Sequence, residues 1–317
     1  MNNTKLRISA APHITGKDST RSIMLNVIIA MIPALIAAGV IFGLRAIILT
    51  AVTVAACVVF EFLWNKALKK EQTVGDLSAV VTGMLLAFNM PSTMPYWMAV
   101  VGAAFAIIMV KQMFGGIGFN FVNPAITARI ILATSFAGQM TNFVFPKTTV
   151  DALASATPLA ANVAGSFAEG GYPYLQMFLG THGGVLGETS ALALIIGFVY
   201  LVITKVISPV IPVTYVATVA VLAVVFGQDP LFHVLGGGLL LGAIFMATDY
   251  VTSPYTVKGK IVFGLGLGII TMMIRVFGTM TEGVSYAILL MNLFVPYINR
   301  LARQKPLGAP KKVKEAK

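Results

Sequence analysis

The chain has 317 residues, of which 57% are hydrophobic and only 10% are charged. Soluble globular domains carry about 25% charged residues, so this composition excludes an ordinary water-soluble enzyme. The mean hydropathy of +0.88 instead predicts a polytopic membrane protein, with apolar residues for about ten helices of the ~20 residues that cross a bilayer. The net charge of +11 is spread over short clusters between apolar runs, which is typical of membrane topology and not of nucleic-acid binding.

Ten apolar runs are predicted to cross the membrane, and the third and fifth of them are short or interrupted. Their expected limits are, in chain order, residues 23–43, 46–64, 77–90, 96–113, 124–140, 189–206, 212–227, 231–248, 261–277 and 283–298. Residues 1–22 are polar and contain no apolar stretch, so no cleavable signal peptide is expected.

The positive charges predict the orientation of these spans. With the N-terminus on the cytoplasmic side, eighteen Lys and Arg residues fall inside and one, Arg129, lies within the fifth span. The three that fall outside are Arg45, Lys147 and Arg275. Because positive residues are retained on the cytoplasmic side, this bias predicts that both termini are cytoplasmic.

One long non-membrane segment, residues 141–188, divides the chain into membrane halves at 23–140 and 189–299. An odd number of spans per half makes the second half start from the opposite side, as an inverted repeat requires. The sequence therefore predicts an all-α polytopic membrane protein with ten transmembrane helices in two inverted five-helix halves. Residues 1–22 and the basic tail 300–317 are expected to be cytoplasmic, and 141–188 extracytoplasmic.

Three acidic residues lie close to predicted span ends. Glu61 ends the second span, Asp76 precedes the third, and Asp249 follows the eighth. Acidic residues in membrane segments are candidates for ion handling by default. Each of these three can also cap a helix at the interface, so both interpretations stay open.

A glycine-rich segment, KQMFGGIGFN, joins the fourth and fifth predicted spans and ends at Asn120. Gly115, Gly116 and Gly118 would allow the backbone to approach a ligand closely. Glycine also serves helix crossings in membranes, so the motif shape alone favours neither a ligand site nor a packed turn.

The extracytoplasmic segment contains the string DALASATPL, in which Thr157 precedes Pro158. Proline disfavours helix at the preceding residue, so the Thr157 hydroxyl is expected in an exposed, extended position that is open to modification. Without further context, a simple loop or helix start is the commoner explanation of such a string. Further along, Glu188, Thr189 and Ser190 precede an apolar run and are expected to form a helix N-terminus.

The sequence predicts no metal site. Cys57 is the only cysteine and cannot alone hold an iron–sulfur cluster, which needs four ligands. The histidines at positions 13, 182 and 233 do not have metal-binding spacing.

Four segments together resemble a known family of membrane proteins. They are KQMFGGIGFNFVNPAITAR, THGGVLGETSALALIIG, FMATDYVTSP and GVSYAILLMN, and they occur in the order that the family shows. Over essentially its whole length the chain is similar to the D subunit of the Rnf electron-transport complex (RnfD). That family is related to the B subunit of the sodium-pumping NADH:quinone reductase (NqrB).

The resemblance implies a covalently bound flavin. In this family a flavin transferase joins FMN through its phosphate to a threonine within a pattern similar to Asp-x-x-(Ser/Thr)-(Gly/Ser)-Ala-Thr. Here the implied acceptor is Thr157, and Asp151, Ser155 and Ala156 match the acceptor motif. Ala154 departs from it, because the family usually carries Ser or Thr at that position.

A second, non-covalent flavin (riboflavin) is implied by similarity to the sodium-pumping relative. Gly115, Gly116, Gly118 and Asn120 are the candidate wall of a flavin site or of a central cavity. This assignment follows from their place at a break between helices.

The implied function is that of one subunit in an ion-translocating ferredoxin:NAD+ oxidoreductase, not active alone, that passes electrons in a chain coupled to outward Na+ or H+ transport. Its implied partners are the A, B, C, E and G subunits of the complex, the flavin transferase and the lipid bilayer. Glu61, Asp76 and Asp249 are the ion-coupling candidates. Two alternatives remain: a solute channel or transporter of inverted-repeat architecture without a redox role, and a scaffold that anchors other subunits.

Overall fold

The computed structural model describes residues 19–144, 154–155, 157–163, 174–278 and 283–303. Within these ranges it contains fourteen α-helices and one antiparallel pair of two-residue strands. The fold is that of a helical membrane protein.

Six helices precede the strand pair. They are α1 (Thr20–Phe42), α2 (Leu44–Ala67), α3 (Ser78–Phe88), α4 (Tyr96–Gln112), α5 (Pro124–Ser135) and α6 (Ala137–Met140). The last part of α4, Phe105–Gln112, is π-helical. Only Gly43 separates α1 from α2, and its φ of 81° suits the sharp reversal between them.

Eight helices follow the strands β1 (Phe143–Val144) and β2 (Ala154–Ser155). They are α7 (Pro158–Val163), α8 (Tyr174–Leu179), α9 (Ala191–Ile203), α10 (Val210–Val225), α11 (Pro230–Leu235), α12 (Leu239–Leu241), α13 (Val257–Phe277) and α14 (Val284–Leu301). A π-helical turn, Gly242–Met246, continues α12.

Nine of these helices match nine of the ten predicted spans. By length and composition α1, α2, α13 and α14 could cross a membrane, and α3, α4, α5, α9 and α10 are shorter apolar helices. The short third span is confirmed as the 11-residue α3. The interrupted fifth span is also confirmed, because α5 ends at Ser135 and Phe136 leaves the helical region.

The eighth predicted span differs from the structure. Residues 231–248 were expected to form one helix, but α11 ends at Leu235 and α12 begins at Leu239. Between them Gly237 adopts a φ of 65°, a left-handed conformation that interrupts a right-handed helix. The apolar composition of this run hid the break from the hydropathy pattern.

The helices pack in the order expected of two inverted halves. The first helices of the halves, α1 and α9, contact each other, and so do the last helices, α5 and α14. Within each half the second helix packs against the fourth, α2 on α4 and α10 on α13. The short or broken elements, α3 and α12 with its π-turn, take the third place in each half.

Small residues allow the closest helix contacts. A Cβ atom on Gly197 of α9 would collide with the carbonyl oxygen of Ala30 in α1. Gly264 and Gly268 of α13, spaced as in the small-xxx-small pattern of membrane helices, likewise leave no room for a side chain against α10. The tightest seams of the bundle therefore depend on glycine.

Candidate functional site

The bundle has two polar ends. We call the end that contains Ala67, Ser78 and Gln112 the inner end, following the predicted orientation, and the end that contains Thr157 the outer end.

A cavity of about 240 Å³ lies at the inner end, where α1 begins, α4 ends and α5 begins. Apolar side chains form most of its wall, and a few polar groups converge on it. The polar and charged wall residues are Thr20, Ser78, Thr82, Lys111, Asn120, Asn123, Thr248, Asp249 and Tyr250. An apolar pocket with few convergent polar groups is typical of small-molecule sites.

The glycine-rich segment borders this cavity. Gly115, Gly116 and Gly118 have φ values of 122°, 99° and 90°, which residues with side chains rarely adopt. The space around Gly118 is open, so its glycine serves backbone conformation and not close packing. Of the four predicted wall residues, Asn120 lines the cavity, as does the intervening Ile117.

A buried ion pair lies beside the cavity. The Lys111 ammonium at the end of α4 is 2.7 Å from Glu61 Oε2 in α2, and the two side chains are 4% and 0% exposed. Removing one partner of a buried pair leaves an uncompensated charge and costs about 3–5 kcal/mol. Sequence reasoning identified Glu61 but missed Lys111, although a lone basic residue in an apolar run is itself a signal that it needs a partner.

Hydrogen bonds extend this pair into a network. Ser78 Oγ accepts from Lys111 Nζ (2.6 Å) and donates to Asp76 Oδ1 (2.5 Å). On the other side Thr73 Oγ1 donates to Glu61 Oε1 (2.5 Å). We call this set the inner charge network; its members are Glu61, Asn65, Thr73, Asp76, Ser78 and Lys111.

Two of the predicted ion-coupling residues, Glu61 and Asp76, therefore belong to one network, which spacing along the chain did not reveal. Asp76 also accepts from the backbone N–H of Ser78 (2.7 Å), so it caps the start of α3 as well. The third candidate, Asp249, lies apart from the network but lines the same cavity. Its Oδ2 accepts from Thr252 Oγ1 (3.0 Å).

Asparagines join the two halves near the cavity. Asn123 caps α5 by accepting from the N–H groups of Ala125 and Ile126, and its Nδ2 donates to the Met246 carbonyl (3.3 Å) at the end of the π-turn. Asn89, just after α3, donates to the Met246 sulfur (3.7 Å). The broken elements of the two halves thus meet through amide contacts.

At the outer end, Thr157 precedes α7 and is only 3% exposed. Its Oγ1 accepts from the N–H of Ala160 (3.3 Å). The predicted exposed position is therefore wrong for the side chain. The reason is that Leu159 packs into a small apolar cluster with Met177 and Phe232, which draws the start of α7 inward.

The other acceptor-motif residues are described only in part. Asp151 and Ala156 lie outside the described residues. Ala154 and Ser155 form strand β2, in which Ser155 pairs with Phe143, and nothing further of their side chains is described.

The glycine break between α11 and α12 is the centre of the outer end. Arg275, near the end of α13, donates to the carbonyls of His233 (2.6 Å) and Gly236 (3.0 Å). A Cβ atom built on Gly236 would lie 3.3 Å from the Leu159 side chain. A Cβ atom built on Gly238 would lie 3.1 Å from Glu188 Oε2. The segment that carries Thr157 and the loop that carries Glu188 therefore meet at this break.

The loop before α9 fills the space beyond α3. The N–H groups of Leu186 and Gly187 donate to the carbonyls of Met90 (3.0 Å) and Phe88 (2.9 Å) at the end of α3. The expected helix N-terminus is confirmed, because Ser190 Oγ accepts from the N–H of Ala193 (3.4 Å). The contacts from Leu186 and Gly187 give α3, a short helix that ends inside the protein, partners for its last carbonyls.

Several buried polar atoms at the outer end have no hydrogen-bond partner within the described part of the chain. They are His182 Nε2, Thr189 Oγ1 and both ring nitrogens of His233. Burial lowers the pKa of His182, although contacts with the backbone of Gly183 and Thr189 oppose this. Such groups usually have a partner, which is often a water molecule or a bound group.

Asp229 fixes the start of α11. Burial disfavours its charged form, but hydrogen bonds from the Tyr174 hydroxyl (2.6 Å) and the N–H of Phe232 (2.8 Å) outweigh this and hold the pKa of Asp229 below its ordinary value. The contact ties α8 to α11 at the outer surface.

The apolar exterior, the paired broken helices and the polar groups at both ends define a polytopic membrane protein with a buried charge network and an inner cavity. The chain belongs to the NQR2, RnfD, RnfE family, whose model matches residues 7–308.

Curated relatives cover nearly the whole chain. It is 50% identical, over 100% of both chains, to the D subunit of the Na(+)-translocating ferredoxin:NAD(+) oxidoreductase complex of Acetobacterium woodii. It is 39% identical, over 95% of this chain and 96% of the relative, to the D subunit of the proton-translocating complex of Clostridium ljungdahlii. A third relative, the D subunit of the ion-translocating oxidoreductase complex of Stutzerimonas stutzeri, is 36% identical over 92% and 93% of the two chains.

Proposed function

We propose that this chain is the D-type membrane subunit of an ion-translocating ferredoxin:NAD+ oxidoreductase complex. The observation that carries the proposal is the 50% identity along the full length of both chains to a relative of that name. The buried charges and the inner cavity support a role in charge transfer across the membrane. A pure scaffold would have no evident use for either feature.

Thr157 is the proposed attachment point of FMN through a phosphoester. Among the described residues its hydroxyl oxygen accepts a hydrogen bond from the N–H of Ala160, and an esterified oxygen can still accept that bond. Two residues further on, Leu159 packs with Met177 and Phe232 in a small buried apolar cluster, which makes the surroundings of this segment apolar. FMN, when bound, supplies one- and two-electron transfer.

Because Thr157 is buried, we expect flavin attachment to precede the docking of α7 onto Met177 and Phe232. Ala154 replaces the usual hydroxyl residue of the acceptor pattern and is expected to slow attachment, not to prevent it. Asp151, Ser155 and Ala156 complete the proposed acceptor motif.

The inner cavity is the proposed site of the second, non-covalent flavin. Its apolar wall suits an aromatic ring, and the side-chain amides of Asn120 and Asn123 can pair with ring carbonyl and imide groups. Gly115, Gly116 and Gly118 shape the loop that brings Asn120 to the cavity. Since the cavity and Thr157 lie at opposite ends of the bundle, the two flavins would occupy separate sites.

Electron transfer through these sites would drive Na+ or H+ outward. Moving one charge against about 100 mV costs about 2.3 kcal/mol, so a modest drop in potential between carriers suffices for each ion. The ion-coupling candidates remain Glu61, Asp76 and Asp249, which all lie at the inner end. A sodium-translocating and a proton-translocating relative both match the chain, and the sodium-translocating one is more similar.

The proposed function requires partners. With Cys57 as the only cysteine, the chain cannot hold iron–sulfur clusters, so partners such as the A, B, C, E and G subunits would have to supply them. A flavin transferase is needed for maturation. The proposed location is the cell membrane, with both termini cytoplasmic and residues 141–188 extracytoplasmic.

The test uses inverted membrane vesicles from cells that express the whole complex. We expect reduced ferredoxin to drive NAD+ reduction and to acidify the vesicles or load them with sodium, and we expect Thr157→Ala to lose most of this activity. Thr157→Ser, which keeps a hydroxyl, is the matched control. Full activity in Thr157→Ala, at normal assembly, would support the scaffold alternative instead.

A further inference from the structure

We propose that the Lys111 ammonium occupies a binding site for a monovalent cation, Na+ in the first instance, formed by Glu61 and Ser78, with Asp76 behind Ser78. In this view Lys111 is a tethered competitor that must leave Glu61 before the ion binds and that expels the ion when it returns. The inference rests on the proposed function, since it assigns a mechanism to the ion-coupling residues.

The geometry around Lys111 Nζ is that of a cation site. The nitrogen lies 2.7 Å from Glu61 Oε2 and 2.6 Å from Ser78 Oγ. The Ser78 hydroxyl donates its hydrogen to Asp76 (2.5 Å), so it can only present lone pairs to Lys111. Carboxylate and hydroxyl oxygens are the donors that a small, hard cation prefers.

The site lies near the inner end of the bundle. Glu61 is fully buried, whereas Asp76 is half-buried. The Oδ2 atom of Asp76 is itself buried and has no hydrogen-bond partner among the residues that the structure describes, so it can still accept a cation next to Ser78. Ser78, between them, contacts both Asp76 and Lys111.

Lys111 also has room to move. It lines the cavity of about 240 Å³ together with its partner Ser78, so the side chain borders open space at the end of α4. It lies in the π-helical part of α4, a form that is rare in proteins and frequent at functional sites. A negative charge gained in the cavity would attract the ammonium and free Glu61 for an ion, which would couple reduction to ion uptake.

The experiment compares Lys111→Met with wild type in the purified whole complex. Without the competitor, we expect radioactive sodium to bind about tenfold more tightly, and the half-saturating Na+ concentration for ferredoxin-driven NAD+ reduction to fall by a similar factor. In vesicles, the sodium transported per NADH formed should drop at least about fivefold, because nothing expels the ion.

Lys66→Met is the matched control, since Lys66 is an exposed lysine near the inner end of α2, on the same helix as Glu61. It should leave all three quantities unchanged. Unaltered sodium affinity in Lys111→Met, with the complex assembled, would overturn the proposal.

A second variant covers the case in which Lys111→Met does not assemble. Ser78→Ala removes one oxygen ligand but keeps the ion pair, and it should raise the half-saturating Na+ concentration about fivefold. An unchanged value would refute the site. A wild-type complex without ferredoxin-driven ion transport would instead refute the proposed function, so the two failures are distinguishable.

Discussion

The two ends of the bundle are stabilised differently. At the inner end a carboxylate and an ammonium, Glu61 and Lys111, neutralise each other within 2.7 Å, and hydroxyl groups extend the pair. At the outer end Arg275 donates to the backbone carbonyls of His233 and Gly236, and several buried polar atoms have no partner among the described residues. The inner contact thus joins two opposite charges, whereas these contacts of Arg275 join a charge to backbone carbonyls.

The largest effect is expected from breaking the inner pair. Glu61→Ala leaves the Lys111 charge buried without its carboxylate and should destabilise the protein by about 3–5 kcal/mol. The measurement is thermal unfolding in detergent. The double variant Glu61→Gln with Lys111→Met has no charge at either position and should recover most of the lost stability. If Glu61→Ala is as stable as wild type, the ion pair contributes little to stability.

A smaller effect is expected at the outer end from Arg275→Met. Two buried carbonyls, those of His233 and Gly236, then lose a charged donor, at a cost of about 2–3 kcal/mol. Flavin attachment at Thr157 should fall together with stability, because the glycine break between α11 and α12 that Arg275 holds also contacts α7. Arg275→Lys is the control for charge, because its single ammonium cannot reproduce the two-pronged guanidinium contact. Wild-type stability in both variants would contradict this role.

The seam between the halves should respond independently of either end. Gly197→Ala places a Cβ atom against the Ala30 carbonyl and should cost about 1–3 kcal/mol by overpacking. Gly138→Ala, where the added atom would meet open space, is the control. Equal stability of the two variants would mean that α1 and α9 separate easily.

A change in the glycine loop should affect the cavity more than the fold. Gly116→Val forces a β-branched residue into a φ of 99° and should cost about 1–2 kcal/mol. We expect lower retention of non-covalent flavin, measured by fluorescence after denaturation, with normal membrane insertion. Full flavin occupancy in this variant would remove the glycine loop from the proposed site.

The smallest effect concerns Asp229 and depends on pH. The pKa of Asp229 is lowered in the folded protein, so the ionised carboxylate stabilises the fold. This contribution to the free energy of unfolding is complete at pH values above the ordinary carboxyl pKa and is lost as the pH falls through the lowered pKa. Tyr174→Phe removes one of the hydrogen bonds and should reduce stability by less than about 1 kcal/mol at neutral pH, and by even less in acid. A loss that is larger at acid pH would contradict this assignment.

Local patterns allowed most of the fold to be predicted. Three features depend only on residues that are neighbours in the sequence, so the sequence reveals them. They are the apolar runs, the span ends near Lys and Arg, and the helix cap at Ser190. The break at Gly237 was missed because the surrounding run is apolar enough to suggest a continuous span. The glycines at 236–238 were the available signal.

The site was predictable residue by residue but not as an arrangement. Glu61 and Asp76 were identified separately, yet their link runs through Lys111, which is 50 positions from Glu61 and meets it only through the packing of α2 against the end of α4. The burial of Leu159, two residues after Thr157, likewise depends on Met177 and Phe232, which are distant in the sequence. Tertiary packing determines such contacts, and no local spacing encodes them.

The central claim is that this chain carries a flavin on its outer segment, and peptide mass spectrometry tests it most directly. The protein would be purified under denaturing conditions from cells that also express a flavin transferase. The account predicts a mass increment of FMN less one water on the peptide that contains Thr157, with flavin fluorescence in a denaturing gel and its loss in Thr157→Ala. An unmodified Thr157 in membranes that carry out ferredoxin-driven NAD+ reduction would contradict it.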